Sequence, residues 1–591
     1  MSRRAQLGAI CVAVVLGLAG CTTVPDSSDP QIVQPVAVEP GNLPPLGPPD
    51  GAEPREIVEG FLAANGDTGP SHSSAVQYLT TEARAAWSDT DTTVTVVDRT
   101  QVGNVVRGKS HNGDRTAKIT VTGHQIGTID DTGAYKPFLR GNGSGLGGVP
   151  LSQPFGLVRA KGQWRIDSLQ PGLLVTAAQF EAFRQVAVYF FDSAERNLVP
   201  EARYTQLSAP TDLIRWLVTT ELAQQPPQPL TTAVPQAGSK QVSTTVPADP
   251  GAPNSPVTIE IPGASALDGT NLNRLATQIS ATLKQVLQVD RIEITDGDTA
   301  VRIPAVSSTI FTPEQLSGRY APTPPGNQLY YVKGGAVYQE SGRRIPGRVG
   351  AGAYDLTSAA LTVTKASDAL QVAGVRGTGP GAVLDISNPK TPGALVATTV
   401  HGNLSRPAWA PGTKEVWIGD GKELKRVTGP RSVQTVSLEV AQGQASGRVS
   451  AVRISPDGGR VALVLSAGNI SQVYIGNIVR NGNKISVNNL APITPQAVYI
   501  TDVAWNDQLK LFVTGRDTIT TESQVYEVQC DGSIWNSRGN LGLPGAPIVV
   551  TAAAGSEAVV STGNFIWQQS GTTWQGLLDG DTRGSNPIYL E

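Results

Sequence analysis

The chain has 591 residues and a formal net charge of -3 at pH 7, so it lacks the cationic excess that a generic nucleic-acid-binding protein uses to neutralise phosphates. The length allows about three or four domains. The 64 glycines, 43 prolines and few aromatic residues favour short strands joined by many turns.

The start of the chain has the pattern of a secretory signal peptide. Arg3 and Arg4 precede an apolar run over about residues 7–19, and Leu18-Ala19-Gly20 leads directly to Cys21. The run is too short to span a bilayer comfortably. A cysteine at this place predicts a bacterial lipoprotein: residues 1–20 are cleaved, the thiol of Cys21 takes an S-diacylglycerol and the new N-terminus an N-acyl chain such as palmitate. The lipid then holds the chain on the extracytoplasmic face of the cell membrane. An ordinary secretory signal with a chance cysteine is the alternative, and the export route, general or twin-arginine, stays open.

The remaining cysteines and the histidines indicate no metal site. Cys11 lies in the signal peptide, so the mature chain keeps Cys530 alone and forms no intramolecular disulfide. We interpret Cys530 as a small apolar core residue. The histidines are scattered and lack metal-ligand spacing, so we expect no metal and no cofactor; they are His72, His111, His124 and His401.

Residues 21–54 are predicted to be a proline-rich tether that tends toward extended polyproline conformations, reaching up to about 3 Å per residue.

Residues 55–180 are predicted to form an α+β domain. Apolar residues at helical spacing begin at Ile57, and a second helix is predicted over Ser73–Trp87. Strands are predicted at 93–97, 104–106 and 117–122, followed by a hairpin over 156–166. Two helices followed by a curved antiparallel sheet resemble the cone-shaped NTF2-like fold, which hosts both enzymes and binding modules. Residues 143–148 match GxGxxG, but no amphipathic helix follows, so we interpret them as a loop.

Residues 183–303 are predicted to be a second α+β domain. Val188-Tyr189-Phe190 reads as a strand, Leu198-Val199-Pro200-Glu201 follows it, and a long helix carries an apolar stripe from Leu272 to Leu287. These segments, with Thr277-Gln278-Ile279 in the helix, resemble the GerMN domain. The resemblance implies a non-catalytic interaction or ligand-binding module of envelope and spore proteins.

Residues 304–326 are predicted to be a linker, and residues 327–591 an all-β propeller. Strand–turn–strand motifs recur with central residues at 363, 409, 454, 505 and 551, spacings of 46, 45, 51 and 46. A period in the mid-forties is typical of propeller blades. We favour six blades, with Pro587-Ile588-Tyr589-Leu590 completing a blade begun at 327–339; five and seven blades stay open as alternatives.

No repeated catalytic set accompanies the propeller motifs, so we expect no enzyme. Asp457 lies in a Ser-Pro-Asp-Gly turn, and His401 stands alone. The basic loop of Arg343, Arg344 and Arg348 is interpreted as solvated, with contact to anionic lipid or polymer as the alternative. No GxSxG motif is present.

The order of lipoprotein signal, tether, NTF2-like unit, GerMN domain and propeller closely resembles the LpqB family of lipoproteins of mycobacteria and their relatives. The resemblance implies an accessory of the MtrA–MtrB two-component system that binds the extracytoplasmic part of the sensor histidine kinase MtrB and modulates its signalling in cell-wall homeostasis and division. It carries over no catalytic residue, and only Cys21 as a site. The alternatives are an envelope propeller hydrolase acting on glycan or lactone substrates, and a lipoprotein that binds peptidoglycan, another cell-wall polymer or a small ligand.

Overall fold

The structure is a computed structural model, and it describes residues 47–66, 72–87, 93–109, 115–138, 148–236, 241–252, 255–320, 326–363, 369–388, 390–441, 447–494, 499–516, 522–540, 542–577 and 583–591. No helix within these ranges is both long and apolar enough to cross a membrane.

The N-terminal domain packs short helices against one face of a seven-stranded sheet, in the order β6-β5-β3-β1-β7 with β2 and β4 also paired to β3. All pairings are antiparallel except that of β1 with β7. Phe61 lies edge-on to Trp87 and Phe155 in the core between the layers. The elements are α1 (Pro54–Ala64), a 3-10 turn (Ala75–Tyr78), α2 (Thr81–Ala86), β1 (Val94–Val102), β2 (Val106–Lys109), β3 (Arg115–Ile129), β4 (Tyr135–Pro137), β5 (Val149–Ala160), β6 (Gln163–Ser168), β7 (Leu174–Thr176) and α3 (Ala177–Glu181).

The helix predicted over 73–87 is wrong as a single element, because the chain breaks at Leu79 and Thr80. Leu79 is extended and bridges Ile166 of β6, and the Thr80 N–H donates to the Ile166 carbonyl at 2.8 Å. The Thr80 hydroxyl then accepts the Ala83 N–H at 3.1 Å and caps α2. The second strand begins at Val106, two residues later than predicted.

The middle domain surrounds its long helix with strands. Its polar residues Gln278 and Thr282 are fully buried and accept backbone N–H groups of Ala233 and Tyr189, at 2.8 and 3.2 Å. The helix is therefore enclosed by its own domain. The elements are β8 (Arg184–Phe191), β9 (Leu198–Thr205), α4 (Pro210–Trp216) continuing as a π-helical turn (Leu217–Leu222), β10 (Ser243–Thr245), β11 (Val257–Glu260), a 3-10 turn (Ala264–Ala266), α5 (Gly269–Leu283), β12 (Ile292–Asp296), β13 (Thr299–Ala300), β14 (Ile310–Phe311) and α6 (Pro313–Ser317).

Two features of the middle domain differ from the sequence-based expectation. The helix ends at Leu283, so Leu287, predicted as part of the apolar stripe, lies in a turn and is 89% exposed. The linker predicted from residue 304 is folded in its first half, because β14 pairs with β12 and both Phe311 and Leu316 are buried in the middle domain's core.

The propeller consists of successive antiparallel sheets. The last strand, β37 (Ser585–Tyr589), pairs with β15 (Leu329–Lys333), which in turn pairs with β16 (Ala336–Gln339). The last strand therefore completes the sheet that the first two propeller strands begin. The inner strands β17, β21, β25, β29, β33 and β37 contact one another in a closed cycle among the described residues. The predicted motif centres at 363, 409, 454, 505 and 551 each end one of these inner strands.

The propeller strands, blade by blade from the first inner strand, are as follows: β17 (Leu356–Val363), β18 (Leu370–Arg376), β19 (Ala382–Ser387), β20 (Leu395–Gly402); β21 (Ala408–Trp409), β22 (Val416–Asp420), β23 (Glu423–Gly429), β24 (Ser432–Val440); β25 (Arg448–Ile454), β26 (Arg460–Ala467), β27 (Ile470–Asn481), β28 (Lys484–Pro492); β29 (Tyr499–Trp505), β30 (Lys510–Arg516), β31 (Gln524–Gln529), β32 (Trp535–Gly539); β33 (Val549–Thr551), β34 (Val559–Thr562), β35 (Phe565–Ser570), β36 (Thr573–Gly576); and β37 (Ser585–Tyr589) with β15 (Leu329–Lys333) and β16 (Ala336–Gln339). Short helical turns lie at Gly347–Gly350 (α7) and Gly379–Gly381.

Candidate functional site

Cys21, the one residue for which the sequence predicts a chemical modification, lies outside the described residues. His111 and residues 143–147 of the glycine-rich loop also lie outside them. The lipidation of Cys21 stays a prediction. Within the described residues, polar or exposed apolar groups gather in three places: the centre of the propeller, the junction between the three domains, and the face of the propeller away from that junction.

Charged side chains from several blades meet at the propeller's centre. Arg453 of β25 lies 3.5 Å from Asp502 of β29 and 4.0 Å from the Glu591 carboxylate. Glu591 also accepts the Trp409 N–H at 2.6 Å, and its backbone N–H donates to the Leu361 carbonyl at 2.9 Å. Residue 591 thus connects inner strands of neighbouring blades.

Burial dominates the electrostatics of this cluster. It raises the pKa of Glu591 to about 7, with Asp502 adding to the effect and Arg453 and the Trp409 N–H opposing it. Burial likewise raises the pKa of Asp502 against the attraction of Arg453. Arg406, from the segment just before β21, lies 3.4 Å from Asp502 and donates to the Val550 carbonyl at 3.3 Å. The centre therefore holds carboxylates paired with guanidinium groups. Among the described residues, no cluster of three or more His, Cys, Asp or Glu side chains is arranged to hold a metal ion.

A second buried arginine, Arg460, joins the middle domain to the propeller. It begins β26, and its Nη2 donates to the Pro200 carbonyl of β9 and to the Gln508 carbonyl, both at 2.9 Å. Glu201 and Asp457 lie 3.8 and 3.7 Å from the guanidinium. Burial opposes its charge, but the neighbouring negative groups outweigh burial and raise the pKa of Arg460. This arginine therefore joins the two domains through charge-assisted hydrogen bonds.

The Ser-Pro-Asp-Gly turn supports that link. The Asp457 carboxylate accepts the Gly459 N–H and the Ser455 hydroxyl, both at 2.7 Å, as the predicted turn requires. Its other oxygen faces Arg460. The turn motif therefore places Arg460 against β9. The local sequence signal for Arg460 is a single arginine at the start of an apolar strand, which by itself does not indicate a contact with another domain.

A third polar contact strengthens the same junction. The Tyr204 hydroxyl of β9 lies 3.1 Å from the Asp531 carboxylate and 2.5 Å from the Ser533 hydroxyl. Burial raises the pKa of both Tyr204 and Asp531. Around Tyr204, Tyr135 and Phe180 of the N-terminal domain pack with residues of the other two domains. All three domains therefore meet at one place.

The opposite ends of the blades form what we call the open face. It consists of the hairpins between the second and third strands of each blade and the connections from one blade to the next. The junction contacts of Arg460 and Tyr204 involve the turns at the other end of the blades, between first and second strands and between third and fourth strands. Four large apolar side chains on the open face are 41–49% exposed. Ser471 bridges Tyr499, so adjacent blades bring two of them together. Arg516 and Arg583 cover the two aromatic rings, with Cζ 5.6 and 6.0 Å from the centroids. The four residues are Ile470, Tyr499, Ile548 and Phe565.

The other residues singled out from the sequence do not converge. His401 is exposed, with Nδ1 3.1 Å from the Thr399 carbonyl. In the exposed basic loop, Arg344 and Arg348 each stack on a tyrosine, with 5.5 Å from Cζ to the ring centroid. Cys530 is buried beside Arg460, and burial raises its thiol pKa to about 12. A thiol with this pKa stays protonated and packs as a core residue.

Two segments of the chain, one N-terminal and one C-terminal, match profiles of the same protein family. Residues 47–181 match the family profile described as Lipoprotein LpqB, N-terminal domain, and residues 332–589 match Lipoprotein LpqB beta-propeller domain.

Relatives of known name match over most of the chain. Lipoprotein LpqB of Streptomyces avermitilis is 27% identical, covering 99% of this chain and 98% of its own. That of Nocardia farcinica is 26% identical, covering 97% and 95%. That of Mycolicibacterium smegmatis is 27% identical, covering 78% of each chain.

Solved structures resemble the chain only weakly. A chain of a nidogen/laminin complex is 10% identical with a TM-score of 0.33, covering 45% of this chain and 99% of its own. A gluconolactonase from Xanthomonas campestris is 12% identical with a TM-score of 0.30, covering 45% and 89%. Likenesses at this level carry no argument about the chain. The two family profiles and the full-length relatives do, and they show that the chain belongs to the LpqB lipoprotein family.

Proposed function

We propose that this chain is a membrane-anchored extracytoplasmic lipoprotein, acylated at Cys21, that binds the extracytoplasmic domain of the sensor histidine kinase MtrB. Through this contact it modulates two-component signalling in cell-wall homeostasis and division. Membership of the lipoprotein family and the Leu18-Ala19-Gly20-Cys21 sequence support the anchor. The partner follows from the family resemblance.

The observation that carries a binding role is the asymmetry of the propeller. One set of turns is occupied by the junction with the other domains, through Arg460 and Tyr204. The open face carries exposed Ile470, Tyr499 and Phe565, whose described contacts lie within the propeller. Exposed apolar side chains with neighbouring arginines on one face are typical of protein interfaces.

We also propose that the chain acts by binding and not by catalysis. The carboxylates at the propeller's centre, Asp502 and Glu591, face Arg453 in ion pairs and bond to backbone N–H groups. Groups held in this way serve to connect blades.

The test is association of the full-length lipoprotein with full-length kinase reconstituted in the same vesicles, measured by crosslinking yield. We expect Tyr499→Ser combined with Phe565→Ser to lower the apparent affinity by at least about tenfold, as for central interface residues. Leu287→Ser, which changes an even more exposed apolar residue in the middle domain, is the matched control and should bind normally.

The two parts of the proposal fail separately. No association of the unaltered protein with the kinase would reject the partner. Association that the open-face variant and Leu287→Ser share equally would reject the open face as the contact surface.

A further inference from the structure

A cavity of about 240 Å³ lies where the three domains meet. β4 of the N-terminal domain, β9 of the middle domain, and β27 and β28 of the propeller form its walls together with Cys530 and Asp531. It is smaller than the roughly 300–1,000 Å³ of pockets that take drug-sized ligands, so it suits a smaller molecule. Domain interfaces are common places for such sites.

Arg460, which lines this cavity, has one buried donor without a partner among the described residues. The Arg460 side chain is 5% exposed, and its Nη2 is committed to the Pro200 and Gln508 carbonyls. Its Nε has no hydrogen-bond partner among the described residues. A buried N–H left unsatisfied is destabilising, so a bound molecule whose acceptor atom reached this guanidinium would remove that penalty.

The charges around the cavity balance. Arg203 and Arg460 contribute two positive groups, and Glu201 and Asp531 two carboxyl groups. A net-charged ligand would meet as much repulsion as attraction there, so the balance favours a neutral molecule that both donates and accepts hydrogen bonds.

The remaining lining groups agree with a neutral, hydroxyl-bearing molecule. The amides of Asn477 and Asn489 line the propeller side. The Asn489 amide already donates to the Gln228 carbonyl, so Asn477 is the amide that can donate to and accept from a ligand. Tyr135 and Pro137 supply an apolar wall on the side of the N-terminal domain. Tyr135 is held by stacking on Phe180, with 5.3 Å between ring centroids, and by donation from its hydroxyl to the Ile126 carbonyl at 3.2 Å. A fixed ring beside amide and guanidinium donors suits the apolar face and hydroxyls of a sugar.

We propose that this junction cavity binds a small neutral ligand rich in hydroxyl and amide groups, of the size of one sugar residue, with Arg460 and Asn477 as hydrogen-bonding residues. Because its walls come from three domains, the bound ligand bridges them and stabilises their arrangement. The inference does not depend on the kinase as partner.

The experiment measures binding of N-acetylglucosamine to the full-length lipoprotein in detergent, by isothermal titration and by the shift in melting temperature, with sodium acetate as the anionic probe. We expect saturable binding of N-acetylglucosamine with a Kd on the order of 1 mM, and no saturable binding of acetate. Asn477→Ala should weaken binding at least tenfold.

Asn488→Ala is the matched control. Asn488 pairs with Asn477 across β27 and β28, but it is absent from the cavity wall and bonds to Ser486 at 2.7 Å. It should bind as the unaltered protein does. Absence of saturable N-acetylglucosamine binding, acetate binding of equal or greater affinity, or Asn477→Ala binding with unchanged affinity would each overturn the proposal. Unchanged melting of the ligand-free variants shows that they fold.

Discussion

Replacing Arg460 by methionine should loosen the middle domain from the propeller. The change removes two charge-assisted hydrogen bonds, to the Pro200 and Gln508 carbonyls, both at 2.9 Å. It also leaves Asp457, whose side chain is fully buried, without its cationic neighbour, whereas Glu201 keeps Arg203 at 4.0 Å. Removing one partner of a buried ion pair typically costs about 3–5 kcal/mol. We expect a loss of this size, because methionine fills most of the volume but supplies no donor.

Amide hydrogen exchange measures this loss locally. Since about 1.4 kcal/mol corresponds to a factor of ten in an opening equilibrium, amides of β9 (Leu198–Thr205) should exchange roughly 100- to 4,000-fold faster in Arg460→Met. Exchange is preferable to a single melting temperature, because a chain of several domains does not unfold in one two-state step.

Arg453→Met is the matched control for this prediction. Arg453 is equally buried, with 6% of its side chain exposed, but its partners Asp502 and Glu591 lie within the propeller. It should speed exchange in β25 and β29 and leave β9 protected. Unchanged protection of β9 in Arg460→Met, or equal loss in Arg453→Met, would refute the assignment of Arg460 as the link between the domains.

Three further predictions follow from the other sites. The pKa of Glu591 is about 7 in the folded protein against an ordinary 4.5, which corresponds to about 3 kcal/mol of stability that is present below pH 4.5 and lost as the pH rises through 7. Glu591→Gln should therefore flatten the pH dependence of unfolding between pH 5 and 8. Parallel curves for both proteins would contradict this. Tyr204→Phe removes a donor to partly buried Asp531 and should cost about 1–3 kcal/mol, measured as faster amide exchange in β9, and unchanged exchange there would exclude that contact. Cys21→Ala should abolish labelling with lipid precursor and release a folded protein from membranes, and retention with labelling would disprove the acylation site.

The sequence predicted those parts of the fold that depend on local periodicity. The spacing near 45 residues located the ends of the inner strands, since each blade repeats one strand–turn–strand unit. Helical spacing failed where tertiary contacts took over. Thr80 pairs with β6 and interrupts a helix that its neighbours would otherwise continue. Leu287 lies beyond the end of the helix, so the helical spacing that predicted its burial does not apply to it, and its side chain is exposed.

The junction could not be predicted in this way, because it depends on contacts between residues some 260 positions apart. Arg460 follows a recognisable turn, yet its partner Pro200 belongs to another domain. Nothing in the spacing of either segment indicates the other. An arginine at the start of an apolar strand is the one local sign, since a buried guanidinium needs acceptors from somewhere in the fold.

The small number of exposed apolar side chains on the open face bears on why an anchor would matter. Four partly exposed side chains make a small contact area, and small interfaces are typically weak and transient. A lipid at Cys21 would keep the chain in the same membrane as the kinase, which raises the effective concentration of one protein near the other without any new contact. A weak surface is then sufficient for signalling and still permits rapid release. If the proposed function holds, anchor and face act together, and binding measured with both proteins in one membrane should exceed binding between soluble fragments by far more than any single open-face residue contributes.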